Sequence, residues 1–156
     1  GSFKEGLKFS SKEFCITIPG DGETNVDEIF KEINKIYSKD ITICYWVGEK
    51  RSSFRIFISG LFTYVINFLF GNNLKYYNGA CFYNVNKLKN IEIKSNGFFF
   101  NAEILIKMID KKYSYSEIPI FLNPRKYGNS KAIKFIVLLK VIKDILITFY
   151  EVKIKK

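Results

Sequence analysis

The chain contains 25 lysines and arginines, and only Arg51, Arg55 and Arg125 among them are arginine. A guanidinium offers a planar, bidentate set of donors to phosphate or carboxylate that an ammonium cannot offer, so each arginine in a chain this committed to lysine marks a candidate anion position. Arg55 and Ser59 are four residues apart, with Arg51 just ahead of them. At the start of a helix that spacing puts Arg55 and Ser59 on one face, where the exposed backbone amides also favour anions. The segment Arg125-Lys126-Tyr127-Gly128-Asn129-Ser130-Lys131 is a basic loop. Its amides, the Ser130 hydroxyl and the cations Arg125 and Lys131 suit a diphosphate. The competing reading of the first group is an ordinary amphipathic helix start.

Acidic candidates are fewer. Pro19-Gly20-Asp21-Gly22-Glu23 follows an apolar strand-like run. In open α/β sheets ligands bind beyond the carboxyl ends of strands, so Asp21 and Glu23 are candidate ligands for Mg²⁺ or Mn²⁺; the alternative is a plain Gly- and Asp-rich turn. Glu103, early in an apolar segment, is either a helix-start carboxylate stabilised by the dipole or a catalytic group. The chain contains no histidine, which removes Ser-His and Cys-His nucleophiles, histidine bases and most transition-metal sites. Cys15, Cys44 and Cys81 are odd in number and sit in apolar runs, as buried hydrophobes in a reducing compartment do.

The elements that must position these residues alternate in type. Phe14 to Pro19 reads as a strand, Asn25 with Glu28 opens a helix to about Tyr37, and Ile41 to Val47 is a second strand. Ser53 to Phe70 is a helix stopped by Gly71, Ala80 to Tyr83 a short strand, and Asn101 to Lys111 a helix. Tyr115 to Ile120 is a strand and Lys131 to about Glu151 the last helix. Alternation of this kind predicts an α/β layered fold with a mixed sheet flanked by helices. The 156 residues read as one domain, 1–156, without a repeat or a low-complexity linker.

A hydrophobic content of 47% with 16 Phe and 10 Tyr supplies a substantial core, and the net charge of +10 predicts attraction to polyanions or an anionic membrane surface. No charged segment leads into an apolar stretch near Gly1, so no secretory leader is expected. The longest uncharged apolar run, Ile56 to Phe70, is shorter than the ~20 residues that span a bilayer, and lysines interrupt Ala132 to Tyr150. Helices lying on a membrane surface, or packed on the core, fit better.

In this order the motifs resemble the family 2 inverting glycosyltransferases of GT-A fold, most closely those that act on dolichol or polyprenyl phosphate. The family's Asp-X-Asp-X-Gln motif corresponds to Pro19-Gly20-Asp21-Gly22-Glu23, with Pro19 in place of the first aspartate. Arg55 and Ser59 match its acceptor-phosphate pair, Asn78-Gly79 its Asp-X-X-Ser-Gly region with the acid changed to amide, and Arg125-X-X-Gly128-X-Ser130-Lys131 its Arg-X-X-Gly-X-Ser-Lys loop. The resemblance covers about Gly6 to Tyr150 and implies the C-terminal part of a Rossmann-like GT-A domain, N-terminally incomplete, the half that holds the nucleotide base lying elsewhere or on a partner chain. It further implies hexose transfer from a nucleotide-sugar to a polyprenyl phosphate, or another membrane-associated acceptor, at the cytoplasmic face of a membrane. Asp21 with Glu23 would hold the metal; Arg125, Ser130 and Lys131 would meet the donor diphosphate; Arg51, Arg55 and Ser59 would meet the acceptor phosphate. Glu103 is the candidate base for a hydroxyl acceptor only.

A non-catalytic remnant of such an enzyme, serving as a membrane-surface or partner-binding module, is the alternative. Nucleic acid is not expected as a partner, since the lysines are scattered and no recognition motif is present.

Overall fold

The computed structural model describes residues 2–20, 22–48, 52–121, 123 and 135–155. The described elements run α1 (Ser2–Lys8), β1 (Phe14–Thr17), α2 (Val26–Lys31), α3 (Ile33–Ile36), β2 (Ile41–Val47), α4 (Ser53–Phe70), β3 (Cys81–Asn84), α5 (Val85–Lys89), α6 (Phe100–Asp110), β4 (Tyr115–Phe121) and α7 (Phe135–Phe149), which continues as a π-helical turn, Tyr150–Ile154. The four strands form one mixed sheet in the order β1-β3-β2-β4. β3 is antiparallel to both neighbours, and β2 pairs in parallel with β4. The α/β expectation with a mixed, helix-flanked sheet holds.

Side chains sort by strand alternation. Ile41 and Ile43 of β2 face a core that includes Ile66 and Phe70 of α4 and Leu105 of α6, with Phe149 of α7 packed against it. Cys44 faces the other way, toward Ile29 of α2, Ile36 of α3 and Ile118 of β4. Helices therefore cover both faces. Between them Thr42, fully buried, satisfies its hydroxyl with the Ile36 carbonyl at 3.3 Å and the Ser116 hydroxyl at 3.0 Å.

Several boundaries differ from expectation for local reasons. The helix opened by Asn25, whose side chain accepts from the Glu28 amide, breaks at Glu32 into α2 and α3. β1 ends at Thr17, two residues before Pro19. Pro119 is accommodated inside β4 because β4 is the sheet edge, where a missing N–H leaves no ladder partner unmet. α5, which the sequence pattern does not announce, is held by Asn84 accepting from the Lys87 amide. Gly71 closes α4 in the left-handed region at φ 69°, its amide donating to the Asn67 carbonyl. The start of the last expected helix, 131–134, lies outside the described residues.

α4 also differs from the expectation drawn from its uncharged run. Counted from Ser53, its 18 residues are long and apolar enough to cross a membrane by length and composition. Its inner face is nevertheless part of the core. Ile66 and Phe70 are buried there, and the Asn67 amide holds both the amide and the carbonyl of Leu74 and the hydroxyl of Tyr77.

Candidate functional site

Two antiparallel steps separate β1 from β2, so these strands run in the same direction, and β4 runs with β2. Their carboxyl ends therefore share one edge of the sheet. From that edge leave the loop of Asp21 and Glu23, the turn before α4, and the chain following Phe121. Contacts tie the three exits together. The Asn123 amide, after β4, donates to the Glu23 carbonyl at 2.8 Å. The Arg55 guanidinium, in the first turn of α4, stands 3.6 Å from a Glu23 carboxylate oxygen, with the two side chains 26% and 8% exposed. One residue expected to bind metal and one expected to bind phosphate are thus neighbours. Guanidinium carries five N–H donors, so the one carboxylate contact it makes among the described residues leaves others for an anion.

Ser59, one turn beyond Arg55, lines an open cleft of about 240 Å³. Tyr45 and Trp46 from the end of β2 form one wall and Tyr76 another, the Trp46 and Tyr76 rings standing edge to face at 5.8 Å. Thr63 and Lys75 supply further polar groups. The Lys75 ammonium donates to the Tyr45 hydroxyl at 3.1 Å and stands 4.2 Å from the ring centre, while the Lys75 amide donates to Glu117 at 2.7 Å. Lys75 and the two aromatic walls were not singled out from sequence. Their signal was the position of Tyr45 and Trp46 at the carboxyl end of a strand.

The segment 76–80 is clamped from behind. Asn101 donates to the carbonyls of Tyr77 at 2.7 Å and Gly79 at 3.3 Å and accepts from the Tyr83 hydroxyl at 2.7 Å. Asn78-Gly79 therefore lies beside the cleft wall.

Glu103 stands elsewhere, in a closed network. It is 1% exposed and does not line the cleft. Its carboxylate accepts from the amides of Lys94 at 2.9 Å and Ser95 at 2.8 Å, from the Ser95 hydroxyl, and from Lys107 at 2.6 Å. Burial by itself would raise its pKa; the bonds from Lys107, Ser95 and the two amides outweigh that and hold it below the ordinary carboxylate value. Lys107 also pairs with Glu151 at 2.8 Å, and Glu151 with Lys94, which ties the C-terminal turn to α6. The base candidate for a hydroxyl acceptor thus has its lone pairs committed to structure.

Among the described residues no group of three or more acidic or cysteine side chains is placed to hold a metal. Asp21, Arg51, Arg125, Ser130 and Lys131 lie outside the described residues, so of the expected site the structure brings together Glu23, Arg55 and Ser59. The cysteines are free thiols, Cys44 and Cys81 buried. Burial pushes Cys81 up to about 11 and Cys44 higher still, which keeps both protonated. No protein-family model and no curated protein matches the chain.

Proposed function

We propose that the chain carries the diphosphate- and acceptor-binding part of a GT-A glycosyltransferase domain, transferring a hexose from a nucleotide-sugar to a polyprenyl phosphate with inversion, and dependent on a divalent cation. The observation that carries the reading is the convergence of Glu23, Arg55 and Asn123 at the carboxyl edge of three co-directional strands, beside a cleft that contains Ser59. On this reading Asp21 and Glu23, whose carboxylate oxygens are the hard donors Mg²⁺ or Mn²⁺ takes, would hold the ion, and the ion would neutralise charge on the leaving diphosphate. Arg125, Ser130 and Lys131 add donors and positive charge to the same group. Arg51, Arg55 and Ser59 orient the acceptor phosphate.

An acceptor phosphate oxygen attacks the anomeric carbon from the side opposite the nucleotide. The bond from that carbon to the diphosphate oxygen breaks, and the nucleoside diphosphate leaves with the electron pair. Because the attacking oxygen is already anionic, no base is required. Glu103, with four donors on its carboxylate, favours this acceptor over a sugar hydroxyl. The work is done at the cytoplasmic face of a membrane, where such a lipid is presented.

The chain's single tryptophan is Trp46 in the cleft wall, so its emission reports on the acceptor site. Farnesyl phosphate, a short soluble analogue, is expected to change that emission saturably, and farnesol is not. Arg55→Lys keeps the charge but loses the bidentate fork; dropping a charge-assisted bond of about 1.5–3 kcal/mol weakens the phosphate roughly ten- to a hundredfold. Equal responses to the alcohol and the phosphate would remove the acceptor assignment.

For the donor side, a nucleoside diphosphate with Mn²⁺ is expected to raise Tm, and Asp21→Asn to abolish the rise while leaving the Tm of the free chain unchanged. A rise that persists in Asp21→Asn would move the metal away from that loop.

A second reading, a non-catalytic relative of such enzymes that serves as a membrane-surface or partner-binding module, is favoured by the exposed apolar faces of α4 and α7. It predicts silence in both titrations.

A further inference from the structure

The largest departure of this molecule from an ordinary soluble surface is α4. Only Ile66 and Phe70 of its 18 residues are buried. Phe54, Phe57, Leu61, Tyr64 and Phe68 are exposed, Phe57 by 64% and Phe68 by 78%. Their spacing of three, four, three and four keeps them on one stripe along the helix, which is about 27 Å long at its usual rise. Arg55, the one charged residue in α4, is turned to Glu23 instead. The stripe is therefore wholly uncharged in a chain of net charge +10.

α7 repeats the feature. Ile136, Leu139, Ile142, Leu146 and Tyr150 are exposed at helical spacing. Phe149 meets Phe70 with ring centres 5.9 Å apart, and Val141 and Ile145 pack on the same core cluster as Ile66. The two helices share one layer. Unlike the α4 stripe, that of α7 is interspersed with exposed lysines, Lys140 and Lys143 within the helix and Lys153 and Lys155 beyond it.

We infer that the outer faces of α4 and α7 together form a docking surface for an anionic lipid bilayer. Exposed apolar stripes of this length mark an interaction surface, and the lysines decide which kind. Protein–protein interface cores are depleted in lysine. At a bilayer the lysine stem lies along the apolar boundary while the ammonium reaches lipid phosphates, the pattern of an in-plane amphipathic helix. A spanning arrangement of α4 would withdraw Ile66, Phe70 and the three hydrogen bonds of Asn67 from the core. The helix therefore lies flat. This inference deepens the membrane placement in the proposed function and rests on it for its setting, but its test is separate, because vesicles supply neither donor nor acceptor.

The test is flotation of the full chain with vesicles of phosphatidylcholine alone and of phosphatidylcholine mixed with phosphatidylglycerol. The chain is expected to float with the anionic vesicles, less so in high salt. Phe57→Glu/Phe68→Glu should abolish flotation without changing Tm, since both side chains are already in solvent. Lys140→Gln/Lys143→Gln should lower partitioning roughly fivefold for each charge removed. Absence of flotation with either lipid overturns the inference, as does flotation indifferent to the Phe57→Glu/Phe68→Glu pair. A dimer in sedimentation equilibrium that this same pair dissolves would assign the face to a second copy of the chain and overturn it equally.

Discussion

Glu103→Ala is expected to cost about 3–5 kcal/mol of folding free energy, the range for removing one partner from a buried, hydrogen-bonded charge pair. The substitution strands the Lys94 and Ser95 amides, removes the acceptor of the Ser95 hydroxyl, and leaves Lys107 with Glu151 as its ion-pair partner. Because Glu151 also holds Lys94, the loss spreads from α6 to the C-terminal turn. Glu103→Gln retains shape and one carbonyl acceptor, and should cost less. The two variants also differ from the wild type in their acid response. The folded pKa values of Glu103 and Glu151 lie below the ordinary 4.5, although burial alone would raise both; the lysine bonds and, for Glu103, those from Ser95 and the amides dominate. A depressed carboxylate contributes stability that is present above the unfolded value and lost as pH falls from about 4.5 through the folded one. Urea unfolding midpoints should therefore decline below pH 4.5 in the wild type and decline less in Glu103→Gln. A wild-type midpoint that stays level through that fall would show that the network adds no net stability.

How far these features were readable beforehand depended on the range of the interaction that sets them. β2 and α4 were legible to the residue because their determinants are local: an unbroken run from Ile41 to Val47, and an apolar helix ended by a glycine free to take a positive φ. α2 and α3 read as one helix in the sequence because Asn25 with Glu28 marks the start and no Gly or Pro marks the break at Glu32. The insertion of β3 between β1 and β2 was not readable at all, since it is fixed by pairings such as Cys15 with Tyr83 and Ile43 with Cys81. The site follows the same rule. Glu23, Arg55 and Ser59 were each singled out by type and spacing, whereas the Glu23–Arg55 contact depends on the strand order. Glu103 carried two readings, a dipole-stabilised helix start and a catalytic group, and the structure shows a buried ion pair instead, whose local sign was Lys107, four residues on and on the same helix face. The exposed stripes of α4 and α7 were present as periodicity, but whether an apolar stripe faces a core or the outside is decided only by packing.

Gly79→Ala is expected to destabilise the fold by about 3 kcal/mol, the upper end of the usual cost of overpacking. A Cβ at this position would lie 2.1 Å from the Cys44 carbonyl oxygen and 3.2 Å from its carbon. Those are backbone atoms of a central strand and cannot rotate aside. Neither partner is free to withdraw. The Cys44 amide donates to the Ala80 carbonyl at 2.9 Å, and Asn101 holds the carbonyls of Tyr77 and Gly79 from the other side. Relief must come from moving the segment 76–80 as a unit, which carries Tyr76 away from Trp46 and opens the cleft. The same methyl at Gly60, inside α4, meets nothing within 4 Å. There it adds helix propensity and should stabilise by up to about 1 kcal/mol. One chemical change at two glycines is thus expected to act with opposite sign, read out by urea unfolding, and the Gly79 variant should lose the emission response of Trp46 to farnesyl phosphate. If Gly79→Ala unfolds at the wild-type midpoint, the close approach of this segment to β2 is not what positions the cleft.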